Sequence, residues 1–263
     1  MNNRPICMAC GTEYDSTDAL PETCIICADD RQYVPDFGQK WTTEAELKSE
    51  HRIEIKEIET GLFQLVVRPS FSIGQRALLV TTDEGNLLWD CVPILDEECE
   101  RFIKEIGGLR AIAISHPHFH SNMNRWAEAF DCPIFLNEAD ERWTVNRGPH
   151  VEFWQGKRKD LWKGLSLYNI GGHFPGSQLA MVPFLSEHGT ILCGDAFVLS
   201  PSGQHFAAMH SYPNRIPLPI VETERLKKEM SKLDFDTIHA WNENQTVKGN
   251  AKEMLLDSLA RYF

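Results

Sequence analysis

The stretch from His116 to Ser121, read as His-Pro-His-Phe-His-Ser, limits what this chain can become more than any other. It follows the apolar run Ala111–Ser115, which has the length of a buried strand and is too short for a helix. Three histidines at alternate positions just past a strand end point the same way if the backbone stays extended. Imidazole is the commonest protein metal ligand, and strand ends are where α/β proteins assemble their sites. A surface loop that merely holds three histidines is the rival reading. It loses ground once later segments supply matching donors.

Composition places few other limits. The 263 residues allow one full domain and a small accessory unit, and 42% hydrophobic with 24% charged residues is ordinary for a soluble protein. A net charge of −12 disfavours a nucleic-acid partner, which needs a basic stripe to displace phosphate counterions. Neither the start, Met1 to Pro5, nor any later run has the apolar length of a signal or a membrane span. The expectation is therefore a cytoplasmic protein with no membrane partner and a small-molecule substrate, its oligomeric state open.

Residues 1–33 read as a separate unit. Cys7-x2-Cys10 and Cys24-x2-Cys27 are two knuckles thirteen residues apart, which suits one tetrahedral four-thiolate site. So few apolar residues make no core alone, so the ion would supply the folding energy. Cys-x2-Cys-Gly-x-x-Tyr followed by Leu-Pro-x-x-Cys-x2-Cys resembles a rubredoxin-type ribbon, especially the short form at the end of rubrerythrins, with Ala28 where many rubredoxins have glycine. Such a site takes zinc or iron, and the ligands do not decide between them. Six acidic residues against Arg4 and Arg31 argue against a nucleic-acid role for it. The other cysteines (Cys91, Cys99, Cys132, Cys193) read as buried small hydrophobes.

Residues 34–50 read as a linker and a short helix, with Thr43 and Glu46 spaced as a capping box. Residues 51–263 then carry strands with helices, followed by strands with helices again, the pattern of two face-to-face sheets with helices outside. The expected strands are Ile53–Ile58, Leu62–Val67, Arg76–Thr81, Leu87–Cys91, 110–115, Pro133–Leu136, Leu165–Ile170, Gln178–Phe184, Thr190–Cys193 and Thr237–His239. The helices fall at Asp96–Ile106, Asn122–Phe130, Asn137–Val145, Val221–Leu233 and Val247–Tyr262, while 147–164 resists assignment.

Three strand ends complete the histidine constellation: His173 in the loop Gly171–Ser177, Asp195 after Gly194, and His239. Over roughly residues 50–245 this order resembles the metallo-β-lactamase superfamily, with its His-x-His-x-Asp-His motif, Gly-His-x-Pro-Gly-Ser loop, Gly-Asp and final strand-end histidine. The resemblance implies an α+β fold, an αββα sandwich of two mixed sheets, preceded here by the small metal ribbon. It implies metal ligation by His116, His118, His173, Asp195 and His239. Two positions depart from the pattern: His120 stands where the family has aspartate, and Ser121 where it has histidine. The first metal position is complete and the second is weakened, so a mononuclear or asymmetric site is expected.

Zinc is the expected metal at both sites, with iron open at either. The reaction class implied is hydrolysis of an ester, thioester, lactone or similar bond by metal-bound hydroxide. Asp195 and His120 are the proton-handling candidates, with His120 alternatively a ligand or a histidine that only supports one. His210 and Tyr212 lie in a proline-rich loop where substrate contacts often occur. Two alternatives stay open: a non-haem iron oxidoreductase of the same fold, similar to sulfur dioxygenases, and a non-catalytic metal-binding relative.

Overall fold

Alternation along single strands already dictates the layers. In the strand Arg76–Val80, Ala77 and Leu79 join one buried cluster and Leu78 and Val80 another. A strand buried on both faces sits in the middle of a sandwich. The computed structural model describes residues 4–15 and 19–262. It forms a seven-stranded and a six-stranded sheet, packed face to face with helices outside both.

The seven-stranded sheet runs in chain order from Arg52–Glu59 to Val151–Trp154. Its first four strands are antiparallel, and Leu87–Trp89, Ala111–Ala113, Ile134–Asn137 and Val151–Trp154 are mutually parallel. The second sheet contains Arg158–Asp160, Ser166–Asn169, Gln178–Val182, Thr190–Leu192, Thr237–His239 and Thr246–Val247. Only Thr190–Leu192 and Thr237–His239 pair in parallel there. Leu62, Leu78, Val80, Trp89 and Phe135 of one sheet meet Leu167, Ala180, Val182 and Leu192 of the other. The helix Glu97–Glu105 covers the first sheet with Cys99 and Ile103, and Met123–Phe130 with Met123, Trp126 and Ala127. Helices Ile220–Ser231 and Ala251–Leu259 cover the second.

The expected elements are present with trimmed ends, apart from three differences. Asn137–Val145 is a 3-10 segment at Glu138–Trp143, and the unassigned 147–164 supplies the strands Val151–Trp154 and Arg158–Asp160. Val247 belongs to a strand, and the last helix begins at Ala251. Thr43 does form its capping box with Glu46.

The stretch expected to link the ribbon to the sandwich instead closes the ribbon. Trp41 and Thr42 pair with Cys7 and Ile6, and Met8 N–H donates to Lys40 O. Among the described residues no helix is long and apolar enough to cross a membrane.

Candidate metal centre

His116 has extended backbone (φ −173°), and the chain then turns sharply through the 3-10 segment Pro117–Phe119. The proline at its first position favours that turn. The extended run expected across the three histidines is therefore replaced by a hook. His116 and His118 meet at a ring distance of 4.9 Å, whereas His120 enters the αR region and leaves the group.

The second sheet delivers the remaining donors. Gln178 ties the two sheets at this edge: its N–H donates to Ser115 O (2.9 Å), and its side chain donates to Ile114 O and Phe135 O. His173 is carried by the loop before Gln178, and Asp195 follows Thr190–Leu192. Gly194, at φ +55°, has no room for a side chain, because a Cβ would lie 2.3 Å from Ser115 Oγ. Gly176 is equally confined, its N–H donating to Asp140 Oδ1 at 2.6 Å and any Cβ falling 2.6 Å from that carboxyl.

His116, His118, His173 and Asp195 bring their donor atoms within 4.8 Å of one another. His116 Nε2 is 3.0 Å and His173 Nε2 3.6 Å from Asp195 Oδ1, and His118 Nδ1 is 3.8 Å from Oδ2 and 3.2 Å from His173 Nε2. A tetrahedral zinc with ~2.1 Å bonds needs donor–donor edges of about 3.4 Å, within this spread. His116 Nε2 and Asp195 Oδ1 are buried without a well-directed hydrogen bond, a costly state for polar atoms unless an ion occupies their midst. The residues fit a single divalent ion.

Their outer contacts set each donor. His173 Nδ1 lies 3.0 Å from Met209 O, which fixes the proton there and frees Nε2. His116 Nδ1 contacts Ser115 Oγ (2.9 Å), and Ser115 N–H donates to the buried Asp90. Burial drives the His173 pKa down to about 3 and lowers that of His118. Burial also pulls His116 down, but Asp195 beside it prevails and the value rises. Asp195 is held well below the carboxylate range by His116 and His173, against the opposing effect of burial.

Two predicted site residues, His239 and His120, lie outside this set, and so does Ser121, where no ligand was expected. His239 ends its strand as expected, but its Nε2 faces Glu59 Oε1 at 2.7 Å and its Nδ1 faces Thr246 Oγ1 at 2.9 Å. Both ring nitrogens are taken, so His239 joins the two sheets and not the donor group. His120 is buried with Nδ1 unpartnered, its pKa driven to about 3 by burial, and it does not line the cavity above the donors. Ser121, at φ +46°, directs Oγ to Cys91 O and receives Gln75 Nε2, while its own carbonyl accepts Glu13 N–H from the ribbon.

The loop residues divide. Tyr212 lines the cavity with its ring 5.7 Å from that of His173, but its hydroxyl donates to Ala207 O and is not free for substrate. His210 instead reaches Asp30 of the ribbon at 2.9 Å.

Sequence reasoning missed the joint between the ribbon and this centre. Cys7, Cys10, Cys24 and Cys27 form the second donor group, with Cys7–Cys27 at 3.7 Å and Cys10–Cys24 at 3.6 Å. Those spacings suit the ~3.8 Å edges of a tetrahedron with ~2.3 Å metal–sulfur bonds. The buried cysteines pack against Trp143 and Phe174, and the Phe174 ring stands 4.9 to 5.4 Å from the rings of His116, His118 and His173. Arg31 lies over Phe174 at 4.6 Å, donates to His173 O, and pairs with Asp29, which accepts from Trp143 Nε1. A lone arginine and a glycine-loop phenylalanine carry no sequence signal for such a role.

No family model matches the chain. It is 36% identical over 260 residues to the uncharacterized protein YmaE of Bacillus subtilis (strain 168), spanning 98% of this chain and 94% of that one. Among solved structures it is similar to a metallo-β-lactamase from Hirschia baltica, with a TM-score of 0.55 and 13% identity over 80% of this chain and 97% of that one. It is similar also to the metallo-β-lactamase FIM-1 from Pseudomonas aeruginosa in its mono-zinc form, with a TM-score of 0.54 and 12% identity over 80% and 95%.

Proposed function

Because this chain belongs to the family of Bacillus subtilis YmaE and carries the metallo-β-lactamase fold, we propose that it is a metal-dependent hydrolase of an ester, thioester, lactone or similar small substrate. One observation carries the reading. Four donors from both sheets converge, three of them (His118, His173 and Asp195) lining a cavity of about 540 Å³, while His116 Nε2 and Asp195 Oδ1 lie buried 3.0 Å apart with no well-directed hydrogen bond to either. His116, His118, His173 and Asp195 would hold a divalent ion, which when bound would acidify a water and polarise a scissile carbonyl.

The protein's own part is positional. Met209 O and Ser115 Oγ hold the two imidazoles in orientation, so the donors need no rearrangement when the site fills. Asp195, held ionised by His116 and His173 against the effect of burial, would accept a hydrogen bond from the attacking water and align it with the carbonyl. The set supports one ion, since His239, His120 and Ser121 all have other engagements or lie elsewhere.

The test is turnover of p-nitrophenyl esters and lactones by protein of measured metal content, beside the His116→Ala/His173→Ala variant. Hydrolysis that disappears with the sandwich ion, while the cysteine-held ion remains, supports the proposal. Turnover that survives its loss refutes it. Phe174, shared by the two donor groups, favours a second reading, an iron oxidoreductase in which this short contact serves electron transfer. Iron at both sites of protein grown without added metal, with oxygen uptake and no ester hydrolysis, would select it.

A further inference from the structure

The cavity above the metal donors has two makers. Its floor and one flank, including Ile73 and Trp241, come from the sandwich, while Met8, Tyr33, Pro35 and Phe37 come from the N-terminal ribbon. Those ribbon residues do not hang loosely over the opening. Asn214 Nδ2 donates to Asp30 O and Gln32 O, Ser211 Oγ donates to Arg31 O, and Ser72 Oγ donates to Ala9 O. Together with Arg31 on His173 O, these bonds fasten backbone on both sides of the wall.

Met8, Tyr33 and Phe37 are 41%, 55% and 67% exposed, unusually open for large apolar side chains, and all three face this one cavity. Exposed apolar surface gathered beside a metal centre marks a binding surface. The charge pattern narrows the ligand. Among the described lining residues no lysine or arginine occurs, and the carboxylate of Asp195 and two imidazoles are the only ionisable groups apart from two phenols. Lys40 approaches the Phe37 ring at 4.6 Å but does not line the cavity. A substrate carboxylate or phosphate would find no counter-charge on the wall.

We propose that the ribbon is the substrate-selecting half of the active site, and that it selects an uncharged ester, thioester or lactone with an apolar acyl or aryl body. The selection rests on the hydrolase reading for the bond cleaved, and on Met8, Tyr33 and Phe37 for the body bound. The reacting carbonyl lies at the donor floor and the apolar portion runs along the ribbon wall. Tyr33 and Phe37 are specificity residues in this scheme and take no part in bond breaking.

The experiment uses the full chain with its metal content measured and two metal-chelating probes, octanohydroxamate and the monohydroxamate of succinate. Titration calorimetry should show the octanoyl probe binding at least ~10-fold more tightly. A Tyr33→Ala/Phe37→Ala variant with unchanged metal content and circular dichroism should lose most of that preference while keeping its affinity for the succinyl probe. Equal affinities, a preference for the anionic probe, a preference untouched by the double variant, or no binding of either probe would each overturn the proposal. Hydrolysis of p-nitrophenyl hexanoate, measured alongside, separates the two readings. A preserved probe preference without turnover removes the hydrolase and leaves the apolar wall standing.

Discussion

The cysteine group and the histidine group hold their donors in opposite ways. Around the cysteines the secondary structure is minimal, with strands of two residues and the four-residue helix Ile25–Ala28. The ribbon's buried apolar residues there are Ile26 and Tyr14, with Ala9, Val34 and Trp41 half-buried against them, completed by Trp143 and Phe174 of the sandwich. Gln39 spans the knuckles, donating to Cys7 Sγ and accepting from Cys24 N–H. The histidines sit instead on strand ends of two fully packed sheets, cross-tied by Gln178. An ion in the ribbon would be part of the scaffold, whereas in the sandwich the sheets supply the scaffold by themselves. Four thiolates at the 3.6 to 3.7 Å spacing of these sulfurs would repel one another unless neutralised, so the ribbon is expected to need an ion to fold.

The largest effect expected from this contrast is that of Cys7→Ser/Cys24→Ser. Losing a structural ion of this kind removes on the order of 10 kcal/mol of binding energy, so the ribbon should unfold. Limited proteolysis should cut within residues 4–42, mass spectrometry should show one ion fewer, and circular dichroism should show the sheets intact. Unfolding of the sandwich as well would erase the distinction.

His116→Ala/His173→Ala is the mirror case. It should abolish occupancy of the other site and any hydrolysis, with the sheets and the ribbon ion retained. A collapse of the whole chain there would mean that the histidine ion is also structural.

Gly194→Ala sharpens the scaffold side of the comparison. A side chain at positive φ costs about 1–2 kcal/mol before the clash with Ser115 is counted. The strand end must shift, so Asp195 moves from its partners. Reduced metal affinity by competition with a chelator, together with a lower melting temperature, is the expected result.

The smallest effects concern Glu59 and His239. Burial raises the Glu59 pKa, but His239 and Lys248 outweigh it and the folded value lies below the ordinary glutamate range. A depressed carboxylate adds stability that is full above its unfolded pKa of ~4.3 and fades as the pH falls through the folded value. Glu59→Gln should therefore lower the urea midpoint at pH 7 and match the parent protein in strong acid. His239→Ala should leave metal content unchanged. Loss of the sandwich ion on that substitution would return His239 to the donor set.

Legibility in the sequence followed how local each constraint is. Cys-x2-Cys pairs, strand alternation and the Thr43 capping box are settled within a few residues, and all three read correctly. His116, His118, His173 and Asp195 were legible because each follows a recognisable strand within a few residues. His120 misled because Pro117 converts an extended run into a turn, and His239 because Glu59 lies 180 positions away. The docking of the ribbon was invisible for the same reason. Asp29, Arg31 and Asn214 show no pattern alone, and their partners lie 114 to 184 residues distant.

That separation has a consequence for how the chain is made. The ribbon leaves the ribosome before its seat on Phe174, Ser211 and Asn214, which lies well over a hundred residues further along the chain. At about 5–20 residues per second, four thiols wait roughly 10–40 s before a partner surface exists to shield them. An ion captured during synthesis would keep them from oxidising or mispairing in that interval.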